Sequence, residues 1–207
     1  MICKAIKMRY NNTGDYMKIF TSGYELTTSI TNIFIFVVSL FGYIKIHNKP
    51  WKTFYLLMTI DSFLGVIVHG LVMSKTVNDL LWVLLSILFT ITVNMLLHIF
   101  INIKMKHVIM LSILLSVIML TQLFLGMDFL LTFVIYIMLV FAISVYFIIK
   151  KNYKNKKLLL LGFGVQLIGG ILLLCKTTIS ILNYNCICHL FTVATLIIFY
   201  IAIQKKD

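Results

Sequence analysis

Residues 129–149 read FLLTFVIYIMLVFAISVYFII and contain no charged side chain. An α helix of about 20 apolar residues crosses the ~30 Å hydrocarbon core of a bilayer. Six further stretches of similar length and character lie on either side, near residues 26–44, 53–73, 80–102, 108–125, 158–176 and 184–203. The sequence therefore predicts an all-α polytopic membrane protein, a bundle of seven transmembrane helices.

The composition supports the same class of protein. Of the 207 residues, 61% are hydrophobic and 12% are charged, and the mean hydropathy is +1.06. Soluble domains are about half apolar and a quarter charged, and a small domain leaves much of its surface in water. These values exclude a soluble enzyme and a disordered chain. A β-barrel is excluded as well, because its strands would alternate polar and apolar residues.

The charge is strongly basic, with 18 Lys and Arg against 6 Asp and Glu. Such a balance can indicate a nucleic-acid partner. Here, however, the lysines fall in the gaps between apolar segments, twelve on one side of the bundle and two on the other. The positive-inside rule places the lysine-rich side in the cytoplasm. We therefore predict an integral multi-pass membrane protein with its N-terminus outside, its C-terminus cytoplasmic and no nucleic-acid partner.

The N-terminal segment 1–24 does not follow this pattern. Its four basic residues would lie outside, and it has no apolar run long enough for a signal peptide. A start of translation at Met8 or Met17 would remove two or three of these four basic residues, and N-terminal mass spectrometry of the native protein tests that hypothesis. Residues 25–207 are predicted to form a single seven-helix domain.

Ionisable side chains inside membrane spans are costly and therefore informative. The predicted topology places Glu25, His69, Asp79 and the pair Asn185 and His189 near the outer ends of their helices. Asn185 and His189 are four residues apart and share a helix face. Two interpretations stay open. The residues form one site, or each has a separate structural role, such as an acid at a helix N-terminus.

Asp61 precedes His69 by eight residues in the same predicted helix. This spacing places it about 12 Å deeper in the membrane than His69, near the bilayer centre. One interpretation is a protonated carboxyl group bonded to Thr90 or Asn94 on the next helix. The other is a step on a proton or ion path.

The outer residues resemble a family pattern. In the seven-transmembrane superfamily of alkaline ceramidases and progestin/adipoQ receptors, the first span carries a Glu followed by hydroxyl and amide residues. Residues 25–32, ELTTSITN, look similar. The second span has Ser-x-x-x-His, here Gly65 to His69, and an Asp follows, here Asp79. The seventh span opens His-x-x-x-His, here Asn185 to His189. An uncharacterised bacterial branch, with Gly-Gly-x-x-His-Gly and Asn-His-Asn-Asp-x-x-His, is similar to residues 65–70 and 183–189.

The resemblance implies a Zn²⁺ centre in the membrane that hydrolyses a lipid amide or ester. His69 and His189 would be metal ligands. Asp79, with Glu25, would be the catalytic carboxylate that orients a zinc-bound water or deprotonates it as a base. The chain departs from the pattern at Asn185 and Gly65. A third ligand would then come from Asp79, Glu25 or Cys186. The remaining candidates to line the site are Asn185, Tyr184, Gly65 and Asp61.

Three functions follow from these residues. The first is a ceramidase-like, zinc-dependent hydrolase, which is degenerate if the metal site is incomplete. The second is a non-catalytic seven-span protein that binds a lipid or another partner. The third is a transporter with Asp61 as proton carrier, although transporters more often show paired repeats and broken helices. In each case the lipid bilayer is the surrounding partner.

Overall fold

The computed structural model describes residues 23–125, 130–179 and 182–204. Within these ranges the chain forms seven α helices, as the sequence predicts. They are α1 (Gly23–Lys45), α2 (Lys49–Gly70), α3 (Lys75–Ile101), α4 (Met105–Phe124), α5 (Leu130–Lys150), α6 (Lys156–Leu174) and α7 (Tyr184–Gln204). Residues 1–22, which include Met8 and Met17, lie outside the described residues, as do residues 126–129, 180–181 and 205–207.

Six of these helices are long and apolar enough to cross a membrane. The described apolar part of α5, Ile135–Lys150, is shorter. The fold is therefore all-helical and compatible with a helical membrane bundle. Six long apolar helices indicate a multi-pass membrane protein.

The helix bounds differ most from the predicted ones around the second loop. Helix α2 ends at Gly70, three residues before the predicted end, because Leu71 is already extended. Helix α3 begins at Lys75, five residues earlier than predicted. There Ser74 acts as N-cap, and its hydroxyl accepts a hydrogen bond from the amide of Val77. The first turn of α3 contains polar residues, and a prediction based on the length of the apolar segment therefore did not include it.

Six helices close a ring, in which α1, α2, α3, α5, α6 and α7 each pack against the next and α7 packs against α1. Helix α4 packs on the outside of this ring, against α3. Successive helices run in opposite directions, so the bundle has two chemically different ends. We call the end with Glu25 and His69 the histidine end. We call the other end, with the lysines of the α1–α2, α3–α4 and α5–α6 loops, the lysine end.

Aromatic side chains fill the ring near the lysine end. Trp51 packs against Phe100 and Phe199, with ring centroids 5.7 and 5.5 Å apart. Phe163 contacts the same two phenylalanines from α6. Tyr55 is fully buried and donates its hydroxyl hydrogen bond to the carbonyl of Leu196 on α7. These contacts join α2, α3, α6 and α7 into one core.

Candidate functional site

The histidine end is organised around an ion pair between α1 and α2. Glu25 lies in the first turn of α1 and His69 in the last turn of α2. Glu25 Oε2 is 2.6 Å from His69 Nδ1, and the two side chains are 41% and 10% exposed, respectively. This distance is typical of a charge-assisted hydrogen bond. The pair orients the imidazole ring through Nδ1.

A tryptophan from α3 packs on the same histidine. The Trp82 ring meets His69 edge-on, with centroids 5.2 Å apart. His69 therefore contacts both neighbouring helices of the ring, α1 through Glu25 and α3 through Trp82.

The second histidine comes from α7. His189 Nδ1 is 2.9 Å from the hydroxyl oxygen of Thr31 on α1. The centroids of the His69 and His189 rings are 6.4 Å apart. Glu25, His69, His189 and Thr31 therefore form a continuous polar chain across α1, α2 and α7, which we call the histidine cluster.

Hydrogen bonds to the polar face of α1 hold the start of α7. Asn183 is buried, accepts a hydrogen bond from the amide of Cys186 (2.8 Å) and donates one to the hydroxyl of Thr28 (2.8 Å). The thiol of Cys186 lies 3.4 Å from the hydroxyl of Thr27. Asn183 thus both caps α7 and attaches its start to α1. This attachment places His189, one turn after Cys186, beside Thr31.

Gly65 occupies the position at which the family pattern has a serine. The packing of Asn32 against this position explains the difference. A Cβ atom on Gly65 would lie 2.8 Å from Oδ1 of Asn32 on α1. The Asn32 amide therefore occupies the space that a side chain at position 65 would need. Gly65 lines the α1–α2 contact below the histidine cluster and brings no polar group to it.

The other predicted site residues also lie at the histidine end. Asp79 is exposed on the second turn of α3, one turn before Trp82. Tyr184 and Asn185 are in the first turn of α7 and are partly buried.

Asp61 lies apart from the cluster, in the middle of α2. Its side chain is 8% exposed, and Oδ1 has no hydrogen-bond partner among the described residues. Neither predicted partner bonds to it. Asn94 donates to Ser112 and accepts from Tyr136, and Thr90 donates to a carbonyl of its own helix. The interpretation of Asp61 as a carboxyl group bonded to Thr90 or Asn94 is therefore wrong.

Comparison with protein families gives a match over most of the chain. A family of unknown function, DUF6962, matches residues 27–207. The chain belongs to this family. The match includes both histidines of the cluster and begins two residues after Glu25. Comparison of this DUF6962 protein with curated proteins and with solved structures finds no match.

A catalytic zinc needs three protein ligands and an open position for water. In the described part of this DUF6962 protein, no three His, Cys, Asp or Glu side chains come together to hold a metal. Cys186 faces the threonines of α1, and Glu25 is engaged on Nδ1 of His69. The described arrangement does not fit a three-ligand zinc centre.

Sequence reasoning missed the roles of two residues in this DUF6962 protein. Trp82 and Asn183 both matter to the cluster, one by packing on His69 and the other by fixing α7. A signal for Asn183 was present, since an Asn directly before a long apolar run is a good N-cap. No comparable signal marked Trp82, because a tryptophan near a span end is most often a headgroup anchor.

Proposed function

We propose that this protein is a multi-pass membrane protein that binds a lipid through the histidine cluster, without zinc-dependent catalysis. The observation that carries the proposal is the chain of contacts from Glu25 through His69 and His189 to Thr31. It joins three helices through polar groups that face one another, while a full set of metal donors is missing among the described residues.

The surroundings of the cluster favour a ligand with both a polar head and an apolar tail. The cluster extends over the first three turns of α1, the last turn of α2 and the first two turns of α7. In a spanning bundle its outer part lies near the level of the lipid headgroups. Exposed apolar side chains border it, including Leu26 on α1, Leu80 on α3 and Leu190 on α7. A headgroup would lie against the polar side chains of the cluster while the tail lies against these leucines.

The proposed orientation puts this site on the outer face of the membrane. Most of the described lysines lie at the lysine end, in or beside the loops after α1, α3 and α5. At the histidine end, the described lysines are Lys75 and Lys176. Since positive loops stay in the cytoplasm, the lipid would come from the outer leaflet.

The competing function is hydrolysis of a lipid amide or ester by a zinc centre, as the family resemblance implies. One observation favours it. Metal-binding histidines usually bond a carboxylate through their other nitrogen, and Glu25 holds His69 in this way. The hydrolase would still need a third donor that the described residues do not bring to the two histidines.

One experiment separates the two functions. We would purify the wild-type protein with His69→Ala, His189→Ala and the control His107→Ala, which changes an exposed histidine at the lysine end. Each sample is analysed for co-purified lipids by mass spectrometry and for zinc by elemental analysis. The proposal expects one lipid class enriched in the wild type and the control, lost in both cluster variants, with no stoichiometric zinc. About one zinc per chain, lost in both cluster variants, would overturn the proposal in favour of the hydrolase. Equal amounts of co-purified lipid in all samples would also overturn the proposal, because the cluster would then not bind the lipid.

A further inference from the structure

A cleft of about 380 Å³ opens at the lysine end, in the loop that joins α5 to α6. Residues 152–158 line this cleft, and three of them are lysines, Lys154, Lys156 and Lys157. In the sequence these lysines serve only as a topology signal. The structure places all three around one concave surface, at the opposite end of the bundle from the histidine cluster.

Side chains of the loop hold its backbone against two neighbouring helices. The ammonium group of Lys151 donates a hydrogen bond to the carbonyl of Phe100 on α3 (3.0 Å), and the hydroxyl of Tyr153 donates to the same carbonyl (3.1 Å). Asn155 Nδ2 donates to the carbonyl of Ala202 on α7 (2.9 Å). These carbonyls lie in the last turns of α3 and α7, where a helix leaves its carbonyls without a partner. The shape of the cleft is therefore fixed before a ligand binds, which lowers the cost of binding.

The acidic side chains of the described residues lie far from the cleft. They are Glu25 and Asp79 at the histidine end and Asp61 in the middle of α2. The ammonium group of Lys156 donates to the amide oxygen of Asn152 (2.7 Å), a neutral acceptor that leaves the positive charge in place. A concave surface lined by lysines attracts an anion.

An exposed stripe on α6 leads from the cleft along the outside of the bundle. It begins at Lys157, which is exposed, and continues at helical spacing with Leu161 and Ile168, which are 52% and 50% exposed. Between them a Cβ on Gly164 would meet nothing within 4 Å. A spanning helix presents such an apolar stripe to acyl chains, while its first turn lies near the level of the lipid phosphates. Ammonium groups at the start of the stripe and apolar side chains along it match a phospholipid better than a free anion.

We propose that this cleft binds the phosphate group of an anionic phospholipid, such as phosphatidylglycerol, through Lys156 and Lys157. Lysine binds phosphate as a point charge, and basic pockets beside spanning helices bind anionic headgroups. The acyl chains of the lipid lie along Leu161 and Ile168. The cleft and the histidine cluster lie at opposite ends of the helices, so this proposal does not depend on lipid binding by the cluster.

The test is native mass spectrometry of the full-length protein in detergent, titrated with phosphatidylglycerol or with phosphatidylcholine of the same acyl chains. We expect the wild type to bind phosphatidylglycerol more tightly. The double variant Lys156→Gln with Lys157→Gln should weaken this binding about tenfold or more, since each lysine beside an anionic headgroup contributes about fivefold in affinity.

The matched control is the double variant Lys104→Gln with Lys106→Gln. It removes the same charge from exposed positions at the lysine end that do not line the cleft. Its affinity for phosphatidylglycerol should change by less than about twofold, because distant charges are screened. His69→Ala should bind phosphatidylglycerol as the wild type does, which separates this site from the histidine cluster.

Equal affinity of the wild type for the two lipids overturns the proposal. An equal loss in the two double variants also overturns it, since binding would then follow the total charge of the lysine end. Displacement of phosphatidylglycerol by an equal concentration of inorganic phosphate would show that the cleft recognises a free anion, against the proposal. If the variant at positions 156 and 157 does not fold, Lys157→Glu with its control Lys106→Glu replaces the pair, with the same expectations.

Discussion

The two ends of this bundle are built on opposite physical principles. At the lysine end, Trp51, Phe100, Phe163 and Phe199 interlock and bury nearly all their surface. At the histidine end, polar side chains meet in pairs, and Glu25 remains 41% exposed. Close aromatic packing favours one rigid arrangement. Polar pairs near solvent or headgroups add little stability. Close packing is therefore concentrated at the lysine end, and the partly exposed ion pair lies at the opposite end of the helices.

The largest effect is expected from breaking the aromatic core. Phe100 is fully buried and contacts Trp51, Tyr153 and Phe163. Phe100→Ala should lower the free energy of unfolding by about 3–5 kcal/mol, because it removes contacts and leaves a cavity. Phe34→Ala is the matched control, since Phe34 is half exposed on α1. Reversible unfolding in detergent measures both. Equal losses in the two variants would contradict the assignment of the core.

Two glycines of α6 allow a finer test of the same packing. A Cβ on Gly162 would lie 2.5 Å from the Phe199 ring, whereas one on Gly164 would meet nothing within 4 Å. Gly162→Ala should cost about 1–3 kcal/mol through overpacking. Gly164→Ala should be neutral or stabilise by up to about 1 kcal/mol, since alanine favours the helix. Thermal unfolding of the two variants measures the difference, and a reversed order would show that α6 is rotated about its axis.

A smaller effect is expected at the histidine end. Glu25→Gln removes the charge that pairs with His69, but the carboxylate is partly solvated, so stability should fall by less than about 1 kcal/mol. The amount of co-purified lipid should nevertheless fall several-fold, because His69 loses its orientation. Lipid analysis and thermal unfolding on one preparation measure both quantities. A large loss of stability with unchanged lipid would mean that the pair is structural and the comparison between the ends is wrong.

The last prediction tests orientation and should leave stability unchanged. Cys175 is exposed in the loop between α6 and α7, while Cys186 is buried against α1. In a background with serine at the other cysteines, a membrane-impermeant maleimide should label Cys175 on intact cells. Lys154→Cys in a cysteine-free background should react only after permeabilisation, because Lys154 is exposed at the lysine end. The opposite pattern would place the histidine cluster in the cytoplasm.

The helices could be predicted from sequence because hydrocarbon thickness sets the length of an apolar segment. All seven described helices lie within a few residues of the predicted spans, and the differences occur where caps replace apolar residues, as at Ser74. The grouping of Glu25, His69 and His189 at one end was predictable too, since helices that alternate in direction bring residues of the same end together. Their roles as ligands or catalysts stay predictions.

The partners within each end could not be predicted in the same way. A helix that is apolar all round carries little information about which face meets which neighbour. The predicted bond from Asp61 to Thr90 or Asn94 was therefore wrong, although these residues lie on adjacent helices. For the same reason the sequence pointed to Cys186 as a metal donor, while its thiol lies against Thr27.

Sequence alone determined the number, length and order of the helices in this protein and the chemical difference between its two ends, because these depend on hydrophobicity along the chain. Tertiary structure alone decided that Glu25 holds His69, that Asn183 fixes α7 against α1, and that Asp61 has no hydrogen bond to Thr90 or Asn94. These contacts depend on the rotation and register of whole helices. Many close-packed side chains set that geometry together, and no local motif encodes it.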